Sequence, residues 1–346
     1  MTLAFDERVF RTLPLLIMAA VAAGGIAWGP GWSEQVAAAP WLVSLFVVGL
    51  PHGATDWAIS RQTWGRQATV RLAIAYLACM AAVLALFVIV PLPVIAVFAA
   101  VSVWHFGMAH ADGQFPPIAD SASLRGIAAV ARGGLVLGVP LACWPAATAG
   151  VVADVSRLVT GDERLVDASV VQGAGLVAIG LAVAALAIEA AGAWRQPAER
   201  RRTIETAVEL SVIALLGATT APLFSVGLYF FWWHGWRQMR LLAPVVVGAA
   251  PSDPRALVES LAAIHRVGLP LLVPTWLVLA AAWWLLSPAH SARDLALLSL
   301  AAYLVVTPSH DLLIDLMRQR SVSRAAGNHT STVPPSCAAR SRSCWA

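Results

Sequence analysis

The 346-residue chain has no lysine; all 23 of its basic residues are arginine. Chemistry that needs a lysine amine, such as Schiff-base formation or the phosphate grip of a P-loop, is excluded. Charge of either sign is scarce. Only 12% of residues are charged and 59% are apolar, against about 25% and about 45–50% in a soluble globular protein. Cysteine is scarce too. Cys79 and Cys143 lie in apolar blocks, Cys337 and Cys344 in a polar tail, and no CxxC pair or finger spacing exists. Neither a zinc finger nor a disulfide framework is supported. The net charge of +4 comes from arginines between apolar blocks and not from one basic face, so no nucleic-acid partner is expected. With a mean hydropathy of +0.74, disorder is excluded as well. What remains is an all-α fold, a polytopic integral membrane bundle of about eight to ten spans.

A helical span needs roughly 20 apolar residues to cross the bilayer core. Blocks of that kind lie at 12–29, 38–59, 71–90, 92–109, 124–143, 169–192, 204–220, 222–237, 268–287 and 295–313. The block at 204–220 is the weakest, because it is short and carries Glu205 and Glu209. The first block lacks a small-residue cleavage site and reads as a retained helix, not a removed signal peptide. With the N-terminus inside, 19 of the 23 arginines fall on cytoplasmic segments. Only Arg157, Arg164 and Arg293 fall outside, and Arg132 sits within a span. The positive-inside bias therefore predicts both termini in the cytoplasm, at the inner membrane of the cell. Residues 254–266, with Leu257, Leu261 and Ile264 at helical spacing, read as an amphipathic helix on the cytoplasmic face. A single transmembrane domain is expected over 1–320, followed by a disordered polar tail over 321–346. No internal repeat of the transporter type is present.

Ionisable groups inside spans are expensive and mark function. Of eight histidines, His265, His290 and His329 fall in an interfacial helix, an outer loop and the tail. Four others, His52, His105, His234 and His310, lie in the second, fourth, eighth and tenth blocks. Those blocks all run from outside to inside, and each carries its histidine in the inner half. Four imidazoles at one depth on four helices suit a shared transition metal, whether ferrous iron, zinc or copper. Interhelical hydrogen bonding is the plainer reading of any one of them alone. His110 reads as a membrane-edge residue, Glu205 and Glu209 as span-end residues. Arg132 either pairs with Glu189 or snorkels.

Asp56, four residues after His52, would share its helical face and orient its ring. Asp311 stands beside His310. Gln238, four after His234, suits a weak ligand, a hydrogen-bond partner or a holder of water. Gly53, Gly107 and Gly235 each follow a histidine and allow close helix approach or a local break. Trp57, Trp104, Phe106, Tyr229, Phe231 and Trp233 would offer stacking walls to a long, flat, apolar substrate, although interfacial anchoring explains many such tryptophans.

Four of these segments resemble a known family. PHGATDW is similar to the PHG-x-x-D signature, and WHFG to the WHFG segment, of the Brp/Blh family of membrane-bound β-carotene 15,15′-dioxygenases. FFWWHGWRQ resembles that family's aromatic-WH-x-x-RH segment, and TPSHDLLID its C-terminal histidine segment. The motifs recur in the family's order across roughly residues 36–318. The resemblance implies a helical membrane enzyme that splits the central double bond of β-carotene, or a related carotenoid, with O2 to give retinal. It implies Fe(2+) as cofactor, with His52, His105 and His234 matching the proposed ligands and His310 as candidate for the fourth. Gln238 departs from the family, which has a second histidine there, and Ser309 and Asp311 alter the last motif. The expected partners are the carotenoid, O2 and the lipid bilayer, with no obligatory protein partner.

Rival readings differ in what they need. A di-iron desaturase needs paired histidine clusters, and no two histidines here are adjacent or four apart. A haem redox protein needs facing histidines with a macrocycle between them. A transporter or proton relay without carotenoid cleavage needs charge pairs on broken helices.

Overall fold

The structure is a computed structural model that describes residues 5–112, 122–193 and 197–328. All regular elements among the described residues are helices, as a lipid environment demands of a backbone that must satisfy its own hydrogen bonds. In chain order they begin with α1 (Phe5–Glu7), a π-helical turn (Arg8–Thr12), α2 (Leu13–Trp28), α3 (Gly31–Gln35), α4 (Ala39–Val47), α5 (Gly49–Ala54) and α6 (Asp56–Trp64). Then follow α7 (Arg66–Ile89), α8 (Pro91–Asp112), α9 (Ala122–Cys143), α10 (Pro145–Thr160), α11 (Ala168–Ala193) and α12 (Pro197–Thr219). The chain continues through α13 (Pro222–Leu228), a second π-helical segment (Tyr229–Gly235), α14 (Trp236–Val247), α15 (Pro254–Leu286) and α16 (Ala292–Asn328).

Eight helical stretches are long and apolar enough to cross a membrane, among them Phe5–Trp28, Ala39–Trp64, Pro91–Ala111 and Ala292–Met317. The chain is a polytopic all-α membrane protein. The expected blocks at 204–220 and 222–237 do form helices, but they fall outside these eight. α12 is rich in charge at its start, and the other block is divided between α13, the π segment and α14.

Three local expectations change. Residues 254–266 are not a separate surface helix but the first turns of α15, which runs through Pro270 and Pro274 to Leu286. Their apolar stripe faces protein: Ile264 is buried, and Leu257 and Leu261 pack with it against Phe10, Val48, Trp236 and Met239. Residues 145–160, outside every expected block, form α10. It buries Ala153, Val155 and Leu158, and its Asp154 reaches Arg293 at the start of α16, 3.0 Å away. The second span is broken instead of continuous. Pro51 has no N–H for the Val47 carbonyl and its ring crowds it, so the helix stops at Val47 and restarts at Gly49. α15 meets carbonyls near the break, with Trp276 Nε1 donating to Leu45 O at 3.3 Å and His265 Nε2 3.1 Å from Phe46 O.

Beyond residue 320, α16 continues to Asn328, eight residues into the expected tail; residues 329–346 lie outside the described residues. Arg132 pairs with Glu189 at 2.7 Å, a buried contact between α9 and α11. Gly107 lets α8 approach α9, since a Cβ there would collide with the Ala129 carbonyl. At Gly235 a Cβ would stand 2.9 Å from Val48 Cγ2, whereas around Gly53 there is open space.

Candidate functional site

His52 on α5, His105 on α8, His234 on the second π segment and His310 on α16 meet. The ring centroids of His105 and His234 are 4.7 Å apart, those of His52 and His234 5.4 Å, His105 and His310 5.5 Å, and His52 and His310 5.8 Å. All but His105 are buried, and its side chain is only 11% exposed. The break in the second span turns His52 toward the others, and the π segment shifts the register of His234 relative to an α-helix.

The orienting contacts are crossed. Asp311 Oδ1 accepts from Nδ1 of His105 at 2.5 Å, not from its neighbour His310. Asp56 Oδ2 accepts from Nδ1 of His310 at 2.6 Å. His52 is held instead by the Val48 carbonyl, 2.9 Å from its Nδ1. The expected Asp56–His52 pairing assumed one continuous helix. Because α5 ends at Ala54 and α6 starts at Asp56, the two side chains no longer share a face. Nδ1 of His234 has no hydrogen-bond partner; its ring lies instead on Phe230, 5.4 Å away and nearly parallel at 14°.

Three imidazoles thus have their outer nitrogen, Nδ1, occupied. Nε2 of His105 stands 3.1 Å from Nε2 of His234. With the His105 proton facing Asp311, this contact takes one proton, carried by His234, and a cation would replace it. Two imidazoles on one ion, each bonded at about 2.0–2.1 Å, would have centroids roughly 4.5–5.3 Å apart. The His105–His234 separation lies inside that range and the other three lie beyond it, by up to half an ångström. Accordingly, among the described residues no group of three or more His, Cys, Asp or Glu side chains is placed so that it could hold a metal ion without movement. The donor set nevertheless suits a divalent transition metal. The 3.1 Å contact leaves no room for a flat macrocycle between these two rings.

A cavity of about 110 Å³ opens against the cluster. It touches His52, His105, His310, Asp56, Asp311 and Gln238, and its walls are largely aliphatic, with Ile59, Met108, Leu242 and Ile314. Nearly every lining residue lies downstream of the histidine on its own helix, so the cavity extends toward the end of the bundle that carries Arg61, Arg240 and the start of α15. Of the six aromatic residues expected along a substrate path, Trp104 alone lines it. Phe106 and Tyr229 are buried and pack edge-on at 5.3 Å. Trp233 is 1% exposed, Phe231 is half-buried against Trp232, and Trp57 is half-buried on α6. Sequence reasoning gave no role to Glu209, whose side chain is 1% exposed and bonds His110 and Arg11.

The segment that contains all four histidines, residues 43–318, matches the family profile described as β-carotene 15,15′-dioxygenase. The chain belongs to that family. A relative from Halobacterium salinarum, described as a probable β-carotene 15,15′-dioxygenase Blh, is 27% identical over 309 residues, which is 84% of this chain and 86% of the relative. No solved structure matches. In this family member the crossed carboxylate–imidazole pairs and Gln238 stand at one cavity.

Proposed function

We propose that the chain cleaves the central double bond of β-carotene, or of a closely related carotenoid, with O2 to give two molecules of retinal. His52, His105, His234 and His310 would hold Fe(2+). The observation that carries the reading is the meeting of four imidazoles from four separate segments beside one cavity in a membrane-embedded bundle, in a chain of this family.

When bound, ferrous iron supplies the activation of O2, which does not react readily with a closed-shell polyene on its own. The chain's own residues do the rest. Asp311 and Asp56 hold the Nδ1–H groups of His105 and His310 and so point Nε2 of each ring inward, fixing tautomer and orientation. Trp104, Met108, Ile59 and Ile314 present an apolar wall that excludes water and keeps the reacting bond beside the rings, so that positioning is the main contribution of the protein. The cavity, about 110 Å³, would take a short stretch of polyene, with the remainder of the carotenoid lying among lipid-facing helices. Both oxygen atoms end in the two aldehydes, so no separate reductant or organic cofactor is required. The arginine-rich face lies on the cytoplasmic side of the inner membrane in this reading, and the cavity draws substrate from that leaflet.

Expression in a bacterium that accumulates β-carotene tests the reading. Retinal in the extract with fading of the orange colour is expected. Unchanged β-carotene and no retinal, with the protein abundant in the membrane, would overturn it.

A further inference from the structure

A second polar chain lies beside the histidine cluster, buried at His110 and Glu209 and exposed at its Arg201 end. The indole N–H of Trp233 donates to Nδ1 of His110 at 3.3 Å. Nε2 of His110 stands 3.1 Å from Oε2 of Glu209, and Oε1 of Glu209 accepts from Nε of Arg11 at 2.6 Å. Arg11 also reaches Glu205 at 2.9 Å, and Arg201 binds the other oxygen of that carboxylate at 2.9 Å. The side chains of His110 and Glu209 are 0% and 1% exposed. The path begins on the π segment next to His234, crosses α8 and α12, and reaches Arg11 on the first π-helical turn.

Only one proton arrangement satisfies it. An indole N–H can only donate, so Nδ1 of His110 must accept. The proton of a neutral His110 then sits on Nε2 and goes to Glu209, which, ionised, accepts from both His110 and Arg11. A protonated Nδ1 would point one donor at another. The face of Trp233 is fixed separately, with the Arg237 guanidinium 4.6 Å from the ring centroid. Trp233 is therefore held at edge and face, and it is the residue directly before His234.

His234 is the member of the cluster that needs such help. The other three rings each have Nδ1 in a hydrogen bond, whereas His234 has none there. It sits on a π segment, a rare departure from the α-helix that is frequent at functional sites. We infer that His110 is a positioning residue: as acceptor of the Trp233 indole N–H it fixes the π segment and so the direction of the His234 ring. The inference rests on the metal reading above for its purpose, but the locking of His234 is separable from it.

The test uses the full-length protein, Co(2+) as probe and competition with a chelator as readout, with melting temperature measured in parallel. His110→Leu removes both hydrogen bonds. His110→Asn places a carboxamide oxygen where Nδ1 was, keeping an acceptor for Trp233 while losing Glu209. Cobalt affinity is expected to fall about tenfold or more in His110→Leu and to stay within about threefold of wild type in His110→Asn, although both variants lose thermal stability. Wild-type affinity in both, or equal losses in both, would overturn the inference and leave the metal reading standing. If the wild type takes up no cobalt, the metal reading fails instead. The imidazole ¹⁵N resonance of His234, identified by its loss in His234→Ala, then decides: displacement in His110→Leu and not in His110→Asn supports the positioning role, and an unmoved signal overturns it. Should the leucine variant not fold, Trp233→Phe removes the same bond from the other end and is read in the same way.

Discussion

Asp311 and His310 are neighbours in the chain, yet the carboxylate binds His105 on α8 and leaves His310 to Asp56 on α6. Asp311 ties together two helices that carry histidines, α16 and α8, and Asp56 ties α16 to α6, the helix that follows His52, so the orientation of one ring depends on the placement of another helix. Adjacent residues on a helix point about 100° apart, which follows from its 3.6-residue turn. Asp311 could not have served both its own neighbour and His105.

Replacing either acid by its amide tests this crossed arrangement. Asp311→Asn is expected to lower Fe(2+) or Co(2+) affinity by about 10–100-fold, because the amide accepts more weakly from His105. Asp56→Asn acts the same way through His310. Chelator competition on the purified protein measures it. An unchanged affinity in both variants would mean that the two carboxylates do not orient metal ligands.

Gln238 lines the same cavity as His52, His105 and His310. A carboxamide is a poor ligand for iron, so Gln238→His offers an additional imidazole one helical turn after His234. Metal affinity is expected to rise several-fold in the same competition assay. A fall, or no change, would place position 238 beyond reach of the ion.

The pH response of α10 provides a test away from the site. Burial raises the pKa of Asp154, but hydrogen bonds and charge from Arg157 and Arg293 outweigh it and hold the carboxyl below its ordinary value. The sign follows from linkage: the contribution is present above the ordinary aspartate pKa and is lost as pH falls through the lower folded value. Because the partners are partly exposed and screened, the effect is at most about 1 kcal/mol. Asp154→Asn should lower the melting temperature slightly at neutral pH, and the difference from wild type should shrink in strong acid. A difference that stayed constant with pH would rule out the ion pairs as its source.

The spans and the four histidines were legible in the sequence, because bilayer thickness fixes span length and a rare polar side chain in an apolar block stands out. The pairing of those histidines was not. It depends on the rotation of each helix about its axis and on the break at Thr55 between His52 and Asp56, and a period of 3.6 applied across that break gives the wrong partner. Glu209 and His110 looked like span-end residues because they are 99 positions apart and neither carries a local motif. Trp233 looked like a substrate wall for the opposite reason: its aromatic neighbours suggested a stack, whereas its indole N–H is committed to His110. The stripe of Leu257, Leu261 and Ile264 was read correctly as one face of a helix, but an amphipathic face does not reveal whether it meets lipid or protein.

Iron stoichiometry tests the central claim most directly. The full-length protein and the variants His52→Ala, His105→Ala, His234→Ala and His310→Ala would be loaded with Fe(2+) without oxygen, freed of excess metal and assayed for iron per chain. The account predicts one iron per wild-type chain and a large loss in each of the four variants, all still folded by melting temperature. Wild-type iron content retained in the His52, His105 and His234 variants would contradict it.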